Sequence, residues 1–196
     1  MSVLGRDAIK SLMAEEKIED RLIITPLLED TQISQSSVDI RLGHNFIVTK
    51  KGAVPSIDPT LHSNPAEYQA MHRVNLREKF YLHPKELVLA GTLEYFRLPT
   101  TVNGYVTSRS SWGRSGLVIA TATIIHPGFN GVITLELLNL GDVPMVLYPG
   151  LDVAQLVLHQ CIGADEYDGR FSNATTTMGS NFTANKIITE FWTKQD

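Results

Sequence analysis

The sequence predicts a mainly β fold, a sandwich or a barrel, with one short helix at the N-terminus. Short apolar segments of strand length recur along the chain, and Pro127-Gly128, Asn130-Gly131 and Pro149-Gly150 are turn signals between them. Many short strands separated by glycine and proline turns are typical of all-β domains. No internal repeat is visible, so the 196 residues predict one domain.

The N-terminal helix is predicted from the spacing of its apolar residues. Leu4, Ala8 and Leu12 recur every four residues, which places them on one face of a helix. Asp7 suits the first turn, where the helix dipole favours an acidic side chain. We therefore expect a short amphipathic helix ahead of the first strand.

The strands begin with residues 37–42, in which polar and apolar side chains alternate as in a half-buried strand. Gly43 is expected to end this strand, and residues 46–49 are expected to form its hairpin partner. The prolines within residues 50–79 predict an irregular excursion. Further strands are predicted at residues 80–82, 87–90, 92–98, 104–107, 117–121, 132–138, 145–147 and 153–158.

The end of the chain differs in composition from the rest. Residues 172–186 are polar and rich in small side chains, which bury too little apolar surface to form a core. We expect one folded domain over residues 1–171, including the N-terminal helix. Residues 172–196 are expected to form a mobile C-terminal lid or tail.

The bulk composition bears on partners and location. The net charge is −4, so no overall positive field attracts a nucleic acid polymer or an anionic membrane. Cys161 is the only cysteine, which excludes an internal disulfide and a cysteine-based zinc cage within one chain. Neither a secretion signal nor a membrane-spanning apolar run is visible, so we expect a cytoplasmic protein.

A candidate anion site is the run Arg109-Ser110-Ser111-Trp112-Gly113-Arg114, which follows a predicted strand. Guanidinium groups bind phosphate oxygens in a planar fork, hydroxyl groups hydrogen-bond, and glycine lets backbone N–H groups approach a ligand. The other interpretation is a solvated loop, where Arg-Ser-Ser is common, with Trp112 packed against the protein.

Glu136 is the candidate acid–base residue because it is the single carboxylate in the apolar run 132–138. In a strand it shares a face with Val132, Thr134 and Leu138. Burial among such neighbours raises a carboxyl pKa, because desolvation disfavours the charged form. A carboxyl group with a pKa nearer neutrality can both donate and accept protons. The alternatives are a structural ion pair with an arginine and a solvent-facing position on an edge strand.

Two further polar residues have more than one interpretation on sequence alone. His126 precedes a Pro-Gly turn, where a lone histidine is usually a surface residue. Gln155 lies among apolar residues, where its amide is satisfied either by the backbone or by a ligand. The six histidines show no ligand spacing, so we expect no metal bound directly by the protein.

Four motifs appear in a characteristic order: Ser36-Ser37-Val38-Asp39-Ile40-Arg41-Leu42-Gly43, Arg109-Ser110-Ser111-Trp112-Gly113-Arg114, Pro127-Gly128-Phe129-Asn130-Gly131-Val132-Ile133-Thr134-Leu135-Glu136-Leu137 and Pro149-Gly150-Leu151-Asp152-Val153-Ala154-Gln155-Leu156. Together they resemble the dCTP deaminase branch of the trimeric dUTPase superfamily. The resemblance implies a dUTPase-like distorted β-barrel or jelly roll of the β-clip type. It also implies a homotrimer with interfacial active sites, Mg²⁺ bound through the nucleotide triphosphate, and deamination without zinc.

The resemblance assigns the chemistry to four residues. Glu136 would act as general acid and base while water attacks C4 of cytosine. Ser110 and the Ala122 carbonyl would hold that water, and Arg114 would lie in the same site. Deoxycytidine triphosphate would be bound through Arg109, Ser110, Ser111, Trp112, Gly113, Arg114, His126, Thr134, Leu135, Gln155, Tyr167 and Arg170.

The chain departs from the family pattern in two places. His126 stands where the pattern has an aspartate near the deoxyribose, an acid that aligns the attacking water in the dUTP-hydrolysing relatives. In the C-terminal lid, Ala174 stands where the pattern has a phosphate-binding glutamine, while Tyr167 and Arg170 match an upstream tyrosine and lysine. Histidine supplies no fixed negative charge, so we expect no diphosphatase activity.

The sequence therefore predicts a hydrolase that converts dCTP to dUTP and ammonia, with Glu136 as the acid–base residue. Two alternatives remain open. One is a bifunctional deaminase and diphosphatase that also releases pyrophosphate and yields dUMP. The other is a nucleotide-binding relative with altered or lost catalysis.

Overall fold

The computed structural model describes residues 2–58, 65–120, 124–169 and 171–180. The mainly β fold with a short N-terminal helix is confirmed. No helix in these ranges is long and apolar enough to cross a membrane. The elements are α1 (Arg6–Met13), β1 (Ile23–Thr25), a 3-10 helix (Asp30–Gln32), β2 (Val38–Thr49), α2 (Pro65–Tyr68), β3 (Gln69–Arg73), β4 (Phe80–Leu82), β5 (Leu87–Arg97), β6 (Val102–Ser108), α3 (Ser110–Arg114), β7 (Leu117–Ile119), β8 (Ile124–Ile125), β9 (Asn130–Asn139), β10 (Met145–Leu147) and β11 (Asp152–Gln160).

The strands form one large antiparallel sheet and one small one. The large sheet has the order β7-β9-β5-β2-β11-β6-β8, with β1 paired to β5 and β3 paired to β2, while β4 and β10 form a separate pair. The register shifts between Leu42 and Phe46 on β2 and between Gly91 and Tyr95 on β5. Such bulges bend the strands, so the sheet curls around its own apolar face.

The core lies inside this curled sheet and is closed at one side by α1. Ile9 of α1 is fully buried and Leu12 packs against the core, but Ala8, which the spacing places on the same face, is exposed, and Leu4 packs against the core from ahead of the helix. On the longer strands the burial alternates from residue to residue, so each strand has one inward and one partly exposed face.

Several local predictions are wrong, among them the hairpin partner at residues 46–49, which continues the strand that begins at Val38. Gly43 does not end a strand: a Cβ atom there would lie 2.9 Å from the Thr92 carbonyl oxygen, so glycine permits β2 to cross β5 closely. Strand β5 is continuous where the sequence predicts two strands, because its irregularity near Gly91 is a bulge rather than a turn. A further error concerns residues 50–79, which contain α2 and β3, a strand added to the end of β2.

A buried ion pair joins β2 to β5. The Arg41 Nε atom lies 2.9 Å from Glu94 Oε1, and the Arg41 backbone N–H donates to Glu94 Oε2 at 3.0 Å. Gln32 Nε2 donates at 2.9 Å both to Glu94 Oε1 and to the Asp39 carbonyl oxygen, while Gln32 Oε1 accepts from Arg41 Nη2. Because Glu94 is completely buried, these donors take the place of water around its carboxylate.

Replacing Glu94 by glutamine should lower the free energy of unfolding by about 3–5 kcal/mol, because Arg41 would remain buried without a counter-charge. Urea unfolding followed by circular dichroism at one fixed protein concentration measures the change. The control Glu15→Gln alters an exposed acid and should change the stability by less than about 0.5 kcal/mol. Equal stability of the two variants would contradict this role for the pair.

Candidate functional site

Strand β9 presents Glu136 on its partly exposed face. Ile133, Leu135 and Leu137 point into the core, while Thr134 and Glu136 lie on the opposite face. This is the arrangement that alternation along a strand predicts. Leu135 is fully buried, so only its backbone is available to a ligand, which is the role that the resemblance implies for it.

Glu136 and Thr134 line a cavity of about 460 Å³, which we call the Glu136 cavity. His126, Tyr167 and the backbone segment from Met178 to Ser180 form other parts of its wall. The remaining lining is mostly apolar. The apolar residues that line it are Ile57, Leu87, Leu89, Ile124, Ile125, Phe129, Val132, Ile133 and Phe171.

The apolar wall changes the chemistry of the carboxyl group. Desolvation by burial raises the pKa of Glu136 above its ordinary value. A carboxyl group with a raised pKa holds a proton closer to neutral pH, so it can exchange protons with a substrate in both directions. The position of this carboxyl group is set by the sheet, since Glu136 pairs with Leu89 of β5 and its carbonyl oxygen accepts from the Ala120 N–H at 2.8 Å.

An aromatic group forms one end of the Glu136 cavity. The His126 ring stacks on Tyr167 with centroids 5.3 Å apart and planes inclined by 9°, and Phe129 lies 6.1 Å from Tyr167. Gly128 makes this contact possible: its φ is +76°, and a Cβ atom there would lie 2.7 Å from the Tyr167 nitrogen. His126 is exposed, as the sequence predicts, but it faces a cavity rather than open solvent alone.

Residues 171–180 of the predicted lid cross the sheet beside the same cavity. The Val132 N–H donates to the Ala174 carbonyl oxygen at 2.7 Å, and the Met178 N–H donates to Thr134 Oγ1 at 3.0 Å. Between these contacts, Thr177 Oγ1 accepts from the Gly91 N–H at 2.8 Å. These contacts describe one position of the segment; its mobility and the domain boundary after residue 171 stay predictions.

A second polar cluster, which we call the cradle, consists of Arg109, Gln155, Asp39 and Asp152. Arg109 Nη1 lies 3.1 Å from Asp39 Oδ2 and 3.4 Å from Asp152 Oδ2. Gln155 Nε2 donates to the other Asp39 oxygen at 2.9 Å. The polar side chain of Gln155 is therefore satisfied by a carboxylate, an option that its apolar sequence context does not indicate.

The run that follows Arg109 is a short helix, α3, rather than an extended loop. Ser110, Ser111, Gly113 and Arg114 are exposed on it. Trp112 packs at its base and donates from Nε1 to the Asp152 carbonyl oxygen at 2.7 Å, which agrees with the packing interpretation of this residue. The exposed polar groups of α3 are thus displayed next to the cradle.

Within one chain the cradle and the Glu136 cavity are separate. Among the described residues, neither the cradle nor residues 110–114 contribute to the lining of the cavity. The structure therefore brings together Glu136, Thr134, His126 and Tyr167, and it groups Arg109 with Gln155 elsewhere. Ala122 and Arg170, two further predicted site residues, lie outside the described residues.

Sequence reasoning missed Asp39 and Asp152 as parts of the cradle. Asp39 lies on the polar face of the alternating run 37–42, so a signal was present. That signal indicates only that the Asp39 side chain faces outward. The contact between Asp39 and Arg109 depends on the pairing of β2 with β11. Met178 was also missed, because its contribution is a backbone N–H.

Comparisons with known proteins match the chain to one family. The family model described as dCTP deaminase-like matches residues 3–161. A relative from Methanobrevibacter smithii is 44% identical over 80% of this chain and 79% of its own length. Another from Dictyoglomus turgidum is 36% identical over 99% of both chains. Both relatives are named "dCTP deaminase, dUMP-forming".

One solved structure supports the fold. The 2'-deoxycytidine 5'-triphosphate deaminase from Agrobacterium tumefaciens matches 80% of this chain with a TM-score of 0.61 and 20% sequence identity. This chain spans 46% of the length of that deaminase. At this identity the likeness concerns the fold alone, and the dUTPase-like fold class that the sequence predicts is confirmed.

The comparisons contradict the prediction that the reaction ends at dUTP and ammonia, because the relatives named above are dUMP-forming. That prediction depended on the missing negative charge at His126. The structure shows that Asp165, Glu166 and Asp168 line a groove together with His126, so the region is not poor in carboxylates. A single substituted position was therefore an insufficient basis for excluding the second hydrolysis.

The raised pKa of Glu136 predicts a pH-dependent effect of Glu136→Gln on stability. Ionisation of Glu136 destabilises the folded chain, because burial disfavours the charged carboxylate. This destabilisation is absent at pH values below the pKa that Glu136 has in the unfolded chain, and it is complete above the pKa that Glu136 has in the folded chain. Relative to the unchanged chain, the variant should therefore gain in melting temperature as the pH rises from about 4 to about 8. Thermal unfolding across this range measures the difference.

Glu78→Gln provides a control of opposite sign. Hydrogen bonds from the Asn75 backbone and side chain lower the pKa of Glu78, so its stabilising contribution is present at neutral pH and is lost on acidification. The difference between this variant and the unchanged chain should shrink toward low pH. Parallel pH profiles for the two variants would contradict the assignment of the raised pKa to Glu136.

Proposed function

The chain belongs to the dCTP deaminase-like family, and on this premise we propose that it converts dCTP and two water molecules to dUMP, ammonia and pyrophosphate. The observation that carries the proposal is the carboxyl group of Glu136, whose pKa is raised in a cavity with an apolar wall. The dUMP-forming names of the relatives support pyrophosphate as the second product.

In the first reaction Glu136 transfers protons at the cytosine ring. It accepts a proton from the water that attacks C4 and delivers a proton to the amino nitrogen, which leaves as ammonia. Because Leu135 and Glu136 are consecutive on β9, backbone groups that hold the base and the carboxyl group that reacts with it move as one rigid element. Ser110, Arg114 and the Ala122 carbonyl are proposed to complete this part of the site.

In the second reaction the bond between the α- and β-phosphates is hydrolysed. The proposed phosphate-binding groups are Arg109 and Gln155, with Ser111 and Arg114 on the adjoining helix. Asp39 and Asp152 contact only Nη1 of Arg109, and a guanidinium group has five N–H donors. The remaining donors can therefore bind phosphate while the two acids hold the side chain in place.

Mg²⁺ is proposed to enter as the counter-ion of the triphosphate. An ion that bridges phosphate oxygens and keeps several waters needs few protein ligands. The described residues contain no group of three or more acids, histidines or cysteines arranged to hold a metal. The ion would neutralise phosphate charge, while the proton transfers at C4 stay with Glu136 and need no zinc. The cytoplasmic location also stays a prediction.

We propose a homotrimer in which the cradle of one subunit faces the Glu136 cavity of another. The separation of the two clusters within one chain supports this arrangement. The outward face of β6 and β11 also carries Tyr105, Val157 and His159, which are partly buried. Asn103 Oδ1 and His159 Nδ1 on these strands are buried, and no hydrogen-bond partner reaches them from the described residues. A second copy of the chain would cover these groups.

The product balance tests the reaction. With dCTP and Mg²⁺ the purified protein should release ammonia and pyrophosphate in about equal amounts, since each turnover breaks one C–N and one P–O bond, and Mg²⁺ removal should lower both. Glu136→Gln should retain nucleotide binding by calorimetry but lose ammonia release by about 10²- to 10⁴-fold. Glu16→Gln, an exposed acid, is the matched control. Ammonia release without pyrophosphate would overturn the dUMP-forming proposal.

Mixed trimers test the interfacial site. Glu136→Gln and Arg109→Gln subunits should each be inactive alone. After the two are mixed under conditions that allow subunit exchange, about one quarter of the sites would combine an intact cradle with an intact cavity. Activity should therefore return to about one quarter of that of the unchanged protein. No recovery, with subunit exchange verified by native mass spectrometry, would place both groups in the same subunit.

A further inference from the structure

Residues 171–180, which we call the strap, are packed into the sheet rather than laid on its surface. Their composition is polar and rich in small side chains, which predicts a mobile segment. In the structure, however, Ala174 is 7% exposed and Thr177 is 2% exposed. A threonine that is buried to this extent belongs to a fitted contact, because its hydroxyl group needs a hydrogen-bond partner inside the protein.

The sheet leaves room for the strap at two glycines. A Cβ atom at Gly91 of β5 would lie 2.7 Å from the Thr177 hydroxyl oxygen. A Cβ atom at Gly131 of β9 would lie 3.0 Å from the Ala174 nitrogen. Any larger residue at these positions would push the strap away. The groove that receives the strap is therefore formed by the two strands themselves.

The Thr177 hydroxyl group joins β5 to β2 where their pairing is interrupted. Phe46 of β2 pairs with Ala90 of β5. Asn45 and Gly91 would be the next pair, but the register shifts at this point. The Thr177 hydroxyl accepts from the Gly91 N–H at 2.8 Å and donates to the Asn45 carbonyl oxygen at 2.7 Å. One side chain of the strap thus satisfies two backbone groups that the bulge separates.

The residue after Thr177 binds the neighbouring strand. Gly91 pairs with Thr134 of β9, and the Met178 N–H donates to the Thr134 hydroxyl oxygen at 3.0 Å. Thr134 lies two residues before Glu136 on the same face of β9. The strap therefore contacts both members of one cross-strand pair directly beside the proposed acid–base residue.

The far end of the strap is held at the junction of α2 and β3. The Ser180 N–H donates to Gln69 Oε1 at 3.2 Å, and the Ser180 hydroxyl lies 2.6 Å from the Tyr68 hydroxyl. Residues 178–180 line the Glu136 cavity between these contacts and Thr177. This part of the cavity wall is thus anchored on both sides by described residues of the same chain.

We propose that Thr177 is a positioning residue that fixes residues 178–180 as a wall of the Glu136 cavity before any nucleotide binds. A wall that is already ordered spares nucleotide binding the entropy of ordering it. A mobile lid would behave in the opposite way, because its residues would become ordered only around the nucleotide. The effect of Thr177 on catalysis rests on the proposed function, whereas the docking of the strap does not.

Hydrogen exchange in the nucleotide-free protein tests the docking. Measured by NMR, the Met178 amide should exchange at least about tenfold more slowly than an unstructured amide. Thr177→Val removes the hydroxyl group and leaves two backbone groups without it, so it should speed the exchange of Gly91 and Met178 by about tenfold or more. Unprotected exchange of Met178 until dCTP is added would overturn the proposal, and this measurement on the unchanged protein needs no variant.

Steady-state kinetics with dCTP test the positioning role. Thr177→Val should raise KM by about tenfold or more and change kcat by less than about threefold, because ordering the wall is a cost of binding shared by substrate and transition state. Thr177→Ser keeps the hydroxyl group and should restore KM to within about threefold. Thr175→Val, the same change at an exposed strap position, is the control. A lower melting temperature of Thr177→Val with unchanged KM would make Thr177 a structural residue only.

The two measurements separate this inference from the proposed function. If Met178 is protected but the unchanged protein releases no ammonia from dCTP, the strap is docked and the proposed function is wrong. If the protein releases ammonia and pyrophosphate while Met178 exchanges freely without nucleotide, the function holds and the strap is a mobile lid.

Discussion

The buried ion pair between Arg41 and Glu94 is the interaction on which both parts of the proposed site depend. Arg41 lies on β2 two residues after Asp39, the acid that organises the cradle. Glu94 lies on β5, the strand that pairs with β9 and supports Glu136. The pair therefore ties the strand behind the cradle to the strand behind the cavity. Loss of either partner would leave an uncompensated charge in the core, which is far more costly than loss of a surface contact.

Irregularities in the large sheet help to form the Glu136 cavity. Where β5 bulges after Gly91, its backbone N–H binds Thr177 of the C-terminal segment. A Cβ atom at Gly91 would lie 2.7 Å from the Thr177 hydroxyl oxygen, so glycine is required for the contact. The segment is thereby held across β9, where residues 178–180 line the Glu136 cavity. A departure from regular pairing in one strand thus helps to shape the cavity that Glu136 lines on its neighbour.

His126 illustrates how the surroundings of a residue modify what its identity implies. Histidine lacks the fixed negative charge of aspartate. This difference in residue identity led to the expectation that the protein deaminates dCTP but does not hydrolyse the triphosphate. In the fold the ring is oriented by Tyr167 and lies near several carboxylates. The fold therefore surrounds this position with acids that the substitution alone does not indicate.

The sequence by itself determined the mainly β class, the presence of a short N-terminal helix and the side of β9 on which Glu136 lies. These features depend on local periodicity and turn chemistry, which neighbouring residues encode. The tertiary structure decided that Gly43 lies within a strand, that Arg109 contacts Asp39, and that the cradle and the cavity are separate within one chain. Those outcomes depend on strand pairing between distant segments, and the spacing of residues along the chain contains no information about which strands become neighbours.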